Sequence, residues 1–508
     1  MKEKMRSILQ SASTMWVITI FVVGVFYIDD YYFNLLEAKA MFCDMASLIF
    51  LAVSMFGTVL YLMEQSAKEN RMLLVNNLQP MDVAVFGFML AAILSNLVTQ
   101  HPAEAFWGSY GWSVGTLWVV MMGLVYFFVS RSMQPDRRLF LLIGIAAGLQ
   151  FLLVIANGFW IDPFSLHQNL AAKDYVRYVG TVGNTNWYVG YVTMMVPFFL
   201  MGTGKEQPLW EKILCRILLF LASMTCITIN SQGVYLGVGA VLAAYVYLSL
   251  TKYEKIRNAL VNLMVISTGI AAVGVGSLFF TLVDLDGLNP IVIRPSVWGS
   301  ALVLCMIVYL GLTLLKEERF CKMAVWMKRI YLLLVTILAV GLVVSQVQSF
   351  NDSWGTNRGR TWRVAVQAFT SMPLVNKLFG GGTNCFGFYY LAQTGSDWVR
   401  NAHNEYLEYL VTTGVFGVLS YVGIYVSAFA DRVRRRTGKG STDHAREGSY
   451  AKSVACKELF TADLHTACGL AILGYAFQAL VNNPQALNGA MLVTILAIYR
   501  RTGQKMVE

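Results

Sequence analysis

The sequence predicts an all-α polytopic membrane bundle of about 14 (12–14) transmembrane helices, with a large external loop that contains short amphipathic helices. Three observations predict it. Apolar residues make up 56% of the 508-residue chain and charged residues only 13%, against about 25% charged in soluble domains. A chain this long with so few charges cannot cover a water-facing surface. A soluble enzyme is excluded, and so is a disordered protein, which needs the reverse composition. The apolar residues also come in runs of about 20, the length a spanning helix needs. Finally, Lys and Arg divide unevenly between alternate connections, as positive-inside topology requires.

Fourteen segments qualify in order: 13–28, 40–63, 81–99, 113–130, 139–160, 188–203, 213–229, 233–250, 259–282, 296–315, 330–348, 406–430, 464–482 and 486–499. The first follows Lys2, Lys4 and Arg6. No small-x-small cleavage pattern precedes Asp29, so this run is expected to be retained. The sixth is weakly apolar and the last is short, which sets the lower bound of the count. Most connections are short and no internal repeat is visible, so residues 1–508 read as a single integral-membrane domain.

With the N-terminus inside, the inner connections hold 30 Lys and Arg and the outer ones nine: Lys39, Lys173, Arg177, Arg294, Arg358, Arg360, Arg363, Lys377 and Arg400. An even number of spans puts both termini in the cytoplasm of a multi-pass cell-membrane protein. The net charge of +10 is therefore read as loop charge that sets orientation. The connection 431–458 reads as a basic cytoplasmic tether. Its arginines are not interleaved with aromatic rings for base stacking, so no nucleic-acid partner is expected. The cysteines lie in predicted helices or inner loops, except Cys385. No CxxC or Cys/His cluster has zinc spacing, and no disulfide, metal or cofactor is expected.

The informative polar segments face outward. The longest, 349–405, lies between the eleventh and twelfth spans. Its 57 residues include ten aromatic ones and five of the nine outer basic residues. A connection far longer than about 15 residues in a compact protein is usually functional or disordered. The aromatic content argues against disorder, and the gathered cations suit an anion. After Asn357, RGRTWRVAVQAFTS reads as an amphipathic helix ended by Pro373. Trp362, Val366 and Phe369 share one face, expected to lie down on the membrane. Arg360, Arg363 and Gln367 share another. Phosphate-cradling glycines usually precede a helix, and the glycines of LFGGGTNC have no Walker lysine, so they read as a tight turn. NAHNEYLEYL then enters the twelfth span, with His403, Asn404 and Glu405 at its outer mouth. Upstream, GTVGNTN opens the sixth span. Asn184 and Asn186 there either cap the helix or, with Arg177, touch a lipid headgroup.

ATP and nucleotide sugars are absent outside the membrane, so a donor used there must arrive already activated on a lipid. A polyprenyl diphosphate meets that need, and its charge matches an arginine cluster. At these residues the chain resembles the O-antigen ligase and O-antigen polymerase family. GTVGNTN, the short outer SQG and RGRTW…GGG…AHNEYLEYLVTTGVFG carry the resemblance, in order, from about 177 to 425. It implies a metal-independent membrane glycosyltransferase. The enzyme would transfer or polymerise a glycan from a polyprenyl-diphosphate donor onto a glycan or lipid acceptor hydroxyl, with inversion at the anomeric carbon. It also implicates an arginine of the large loop, here Arg358 or Arg360 with Arg358 preferred, and the histidine before the twelfth span, His403. Arg358, Arg360, Arg363 and Arg177 are then expected at the donor diphosphate. Asn184, Asn186, Gln232 and Asn404 are expected at the headgroup or acceptor. His403 is the expected base, with Glu405 as alternative base or orienter. Many members carry Ser-Arg where this chain has Ser231-Gln232. That basic role is vacant or falls to Arg177, so another envelope-glycan ligase or a polymerase fits as well as a lipopolysaccharide ligase. The rival class is a transporter or flippase of lipid-linked glycans. Such a protein uses ionisable groups inside the membrane, and only Asp44, Asp82 and Glu408 qualify.

Overall fold

The computed structural model describes residues 2–64, 78–109, 111–168, 170–283, 290–438 and 449–505. The long helices are α1 (Lys2–Ile18), α2 (Leu35–Glu64), α3 (Pro80–Val98), α4 (Thr116–Ser132), α5 (Arg137–Gly158), α6 (Thr185–Met201), α7 (Leu209–Thr228), α8 (Gln232–Ser249), α9 (Tyr253–Gly276), α10 (Pro295–Leu314) and α11 (Glu317–Ser349). Three helices of the large loop follow: α12 (Trp354–Ser371), α13 (Leu374–Phe379) and α14 (Phe386–Thr394). The chain closes with α15 (Glu405–Gly438), α16 (Ser449–Gln478) and α17 (Ala486–Lys505). Among the described residues, ten helices are long and apolar enough to cross a membrane. The other four apolar segments of the sequence fall on α4, α6, α7 and α17. α4 and α6 have only 17 residues each, and α7 and α17 carry charges at one end, Glu211, Lys212 and Arg216 in one and Arg500, Arg501 and Lys505 in the other.

One end of the bundle is built around the exit of the first span. α1 continues through a π-turn at Thr19–Val23 to Phe26. Its last carbonyls would be orphaned in an apolar setting. Lys39, only 1% exposed, reaches back and donates to Gly24 O at 2.7 Å and Val25 O at 3.3 Å. The same carbonyl of Val25 accepts from Thr181 Oγ1 at 2.6 Å. Thr181 belongs to a short hairpin in which Tyr178–Val179 pairs antiparallel with Gly183–Asn184. Tyr32 Oη donates to Gly180 O at 2.6 Å, and Gly180 N donates to Asn157 Oδ1 at 2.8 Å. The hairpin is thereby fixed where α6 begins.

The opposite end is held by a buried ion cluster. Asp82, in the first turn of α3, accepts from Arg500 Nε at 2.7 and 2.9 Å and from Tyr126 Oη at 2.8 Å. Arg131 Nη2 lies 3.4 Å from it. The start of α3 and the ends of α4 and α17 therefore share one level. α10 and α11 stand apart: in their most apolar stretches 6% and none of the residues are buried. α11 has 33 residues, about 50 Å at about 1.5 Å per residue. That exceeds a hydrocarbon core of about 30 Å, and its charged first half makes up the excess.

The large loop is a folded cap laced to α15. Gly380 and Gly414, with φ of 90° and 69°, meet where the two chains cross. A Cβ on Gly380 would sit 2.2 Å from Thr412 O, and one on Gly414 would sit 2.5 Å from Leu378 O. Gly381 N and Gly382 N donate to Val411 O at 2.9 Å and Thr412 O at 3.0 Å. Those glycine N–H groups are consumed by backbone and leave no anion cradle. From the other side, Thr99 Oγ1 donates to Gly381 O at 2.5 Å, and Ser109 N donates to Asn384 Oδ1 at 2.8 Å.

The helix after Asn357 buries Gly359, Thr361, Val364, Ala365 and Ala368 against the rest of the loop. Val366 is 48% exposed. Small residues win because they let α12 approach Phe386 and Tyr390 closely, while Trp362 stacks with Trp354 and Phe350 instead. Cys385 is not an accessible outer thiol: it is fully buried at the start of α14. The helices run on into the basic connection 431–458 from both sides, α15 to Gly438 and α16 from Ser449, while the apolar spans end at Ala430 and restart at Glu458. Residues 439–448 lie outside the described residues.

Candidate functional site

Asn186, in the first turn of α6, joins four segments of chain. Asn184 caps that helix by accepting from Asn186 N at 2.9 Å. This leaves the Asn186 side chain free to face inward. Its Oδ1 accepts from Ser231 Oγ at 3.1 Å and from Arg358 Nη2 at 3.5 Å. Its carbonyl accepts from Asn482 Nδ2 at 2.5 Å. The turn before Arg358 makes this possible. Gly355, Thr356 and Asn357 take φ values of 58°, 58° and 70°, which swings α12 so that Arg358 points at α6.

Arg358 is half-buried, and among the described residues Asn186 is its hydrogen-bonding partner. Burial lowers its pKa below the usual guanidinium value. The other predicted donor arginines do not join it. Arg360 is exposed, as two residues along a helix turns it to the far side. Arg363 is paired with Asp352, and Arg177 with Asp174 at 3.2 Å. Both cations are already answered at the surface. The structure brings together one arginine, not four, and that one is Arg358.

His403 sits beside it. The loop before α15 is laced by its own side chains: Asn401 Oδ1 accepts from His403 N at 3.2 Å, and Glu408 Oε2 accepts from Ala402 N at 2.7 Å. Asn404 caps α15, accepting from Tyr406 N at 3.0 Å and Leu407 N at 3.1 Å. These bonds hold His403 at φ 49°, a left-handed conformation that costs about 1–3 kcal/mol for a non-glycine residue. Its Nδ1 is buried without a partner among the described residues. Burial first, and the Arg358 charge second, push the imidazole down to about 4. It is neutral at pH 7 and has a lone pair to offer.

Glu405 is elsewhere. It is 1% exposed, and its carboxylate accepts from Tyr421 Oη and from Tyr475 Oη at 2.9 Å. Tyr425 Oη donates to Tyr421 Oη at 2.7 Å. Placed at the helix mouth by sequence, Glu405 in fact turns into the bundle, because only those hydroxyls can satisfy it there. Gln232 is exposed in the first turn of α8. Sequence reasoning missed the segment 482–488 and the lacing role of Asn401 and Glu408. The signal for the first was NNPQ, a polar run wedged between two apolar helices.

No protein-family model matches the sequence, and no curated protein matches it. The fold defines a polytopic helical membrane protein. At one end of its bundle, the charge of a half-buried arginine reaches a neutral imidazole, and among the described residues the arginine has no carboxylate and the imidazole Nδ1 no partner.

Proposed function

We propose that this protein is a membrane glycosyltransferase, a ligase or polymerase of a surface polysaccharide. It uses a polyprenyl-diphosphate-linked donor at the outer face of the cell membrane. We also propose fourteen crossings with both termini in the cytoplasm, which puts the Arg358–His403 end outside. The observation that carries the reading is the pairing of Arg358 with His403. An arginine kept half-buried with no carboxylate partner among the described residues is suited to an anion that arrives and leaves. The resemblance of the motifs around both residues supports the same assignment.

In this reading Arg358 holds the diphosphate and stabilises the charge that develops on its leaving oxygen. The acceptor hydroxyl oxygen bonds to the anomeric carbon as the bond from that carbon to the diphosphate oxygen breaks. His403 takes the hydroxyl proton. An imidazole near 4 is a weak base in the empty site. The diphosphate cancels the Arg358 charge and makes His403 more basic when the donor is present. Arg360 and Arg363 are left to the surface, where they attract anionic headgroups. The test is donor binding and transfer with purified protein in nanodiscs. Arg358→Ala should weaken donor binding about 10- to 100-fold, and His403→Ala should keep binding but lose transfer about 10²–10⁴-fold. Normal transfer by Arg358→Ala would sink the assignment.

A transporter of the same lipids is the second reading. Glu405, buried among tyrosines without a cation, favours it, since transport pathways carry such groups. Movement of labelled lipid between leaflets, with no glycosidic product, would decide for it.

A further inference from the structure

The segment between α16 and α17 carries amides that its own fold does not use. Gln478, Asn482, Asn483, Gln485 and Asn488 are all at most 5% exposed. Some of their bonds hook the segment to the candidate site. Asn482 Nδ2 donates to Asn186 O at 2.5 Å, and Asn488 Nδ2 donates to Trp187 O at 2.7 Å. Gln485 Oε1 accepts from Leu487 N at 2.9 Å. The atoms left over are Asn483 Nδ2, Gln485 Nε2 and Asn488 Oδ1, which have no hydrogen-bond partner among the described residues. A buried amide without a partner is costly, and native proteins rarely tolerate one. Three of them on one short segment point to a ligand that completes them.

The chemistry of that ligand follows from the atoms. Two N–H donors and one carbonyl acceptor, all neutral, match hydroxyl and acetamido groups rather than a charge. Asn488 ties them to the backbone of Trp187, whose ring belongs to an aromatic pair. Trp187 and Trp112 meet edge to face, with ring centroids 5.8 Å apart at 76°. Trp112 is half-exposed. Few polar groups on an aromatic wall are the usual make-up of a site that orients a small ring. The hooks to residues 186 and 187 place this group next to Asn186, the partner of Arg358.

We propose that Asn483, Gln485 and Asn488, with Trp112 and Trp187, form a recognition subsite for a neutral, hydroxyl-bearing sugar ring joined to the diphosphate at Arg358. This rests on the donor reading above. A site built to hydrogen-bond hydroxyls rejects ligands that lack them, so the subsite selects a glycosylated lipid diphosphate over the bare one released as product.

The test uses the full chain in nanodiscs and three probes: farnesyl diphosphate, and the same lipid diphosphate bearing a hexose or an N-acetylhexosamine. The wild type should bind a sugar-bearing probe at least about tenfold tighter than farnesyl diphosphate. Asn483→Leu should cut that advantage about tenfold and leave farnesyl diphosphate binding unchanged. Trp112→Phe, which keeps an aromatic ring against the core and changes the ring offered to a sugar, should do the same if Asn483→Leu fails to fold. Equal binding of all three probes by the wild type would overturn the subsite while leaving the donor reading intact, the amides then being satisfied by water. So would a sugar advantage that survives both substitutions. Binding of no probe at all would remove the donor reading, and the subsite with it.

Discussion

The His403 imidazole should stay neutral to well below pH 6. Its free value is 6.5, and in the folded protein it is held at about 4. At about 1.4 kcal/mol per pH unit, that gap is worth about 3 kcal/mol. The unfolded chain takes up this proton below 6.5, and the folded one only near 4. The stability involved is fully present above pH 6.5 and is lost as pH falls from 6.5 towards 4. Burial is the larger cause and Arg358 the smaller. Arg358→Met should therefore raise the value part of the way, still short of 6.5. Farnesyl diphosphate bound to the wild type should raise it too, by neutralising the same charge. Only five histidines are present, so NMR of ¹⁵N-histidine-labelled protein in nanodiscs can follow each one, with His403→Gln assigning the signal. A wild-type His403 that titrates near 6.5, or one indifferent to Arg358→Met, would refute the proposed coupling.

Three further outcomes are expected. Gly414→Ala places a Cβ 2.5 Å from Leu378 O at a φ of 69°. It should lower the unfolding temperature and reduce transfer, the backbone strain alone costing about 1–2 kcal/mol; unchanged melting and transfer would show that the cap is not locked to α15. Cys385, being fully buried, should resist an impermeant maleimide in intact cells and react only after denaturation, so rapid labelling of the native protein would contradict the packing of α14. Epitopes inserted after Gly440 and after Ser396 should be reached from the cytoplasm and from outside respectively, and the reverse result would invert the proposed topology.

Much of the helical layout was legible because spanning segments advertise themselves by apolar length. Pro80, Asp136 and Pro295 also mark helix beginnings in the usual way. The site was legible only in part. His403 and Arg358 could be found because polar residues outside the membrane are few and their motifs are distinctive. What sequence could not give was direction. Arg358 and Arg360 are near neighbours in the chain, but the left-handed turn at residues 355–357 decides which of them faces α6. Glu405 looks like a site residue because it follows His403, yet its partners, Tyr421 and Tyr475, come from further along α15 and from α16. The inward face of α12 was not legible because its pattern marks hydrophobicity and not smallness. Close packing against α14 needed alanine and glycine more than tryptophan.

The buried pairings also impose an order in time. Trp16 Nε1 donates to Thr494 Oγ1 across 478 residues, and Asp82 meets Arg500 across 418. At about 5–20 residues per second of synthesis, roughly 20–80 s pass between the making of Asp82 and of Arg500. During that interval the early helices wait in the bilayer without their final neighbours, and Asp82 has Arg131 as its available cation. α17 works as a keystone inserted after the helices it joins. Loss of residues 486–505 would leave α1–α16 made yet their interior open, and quality-control proteases would meet them as an unfinished product.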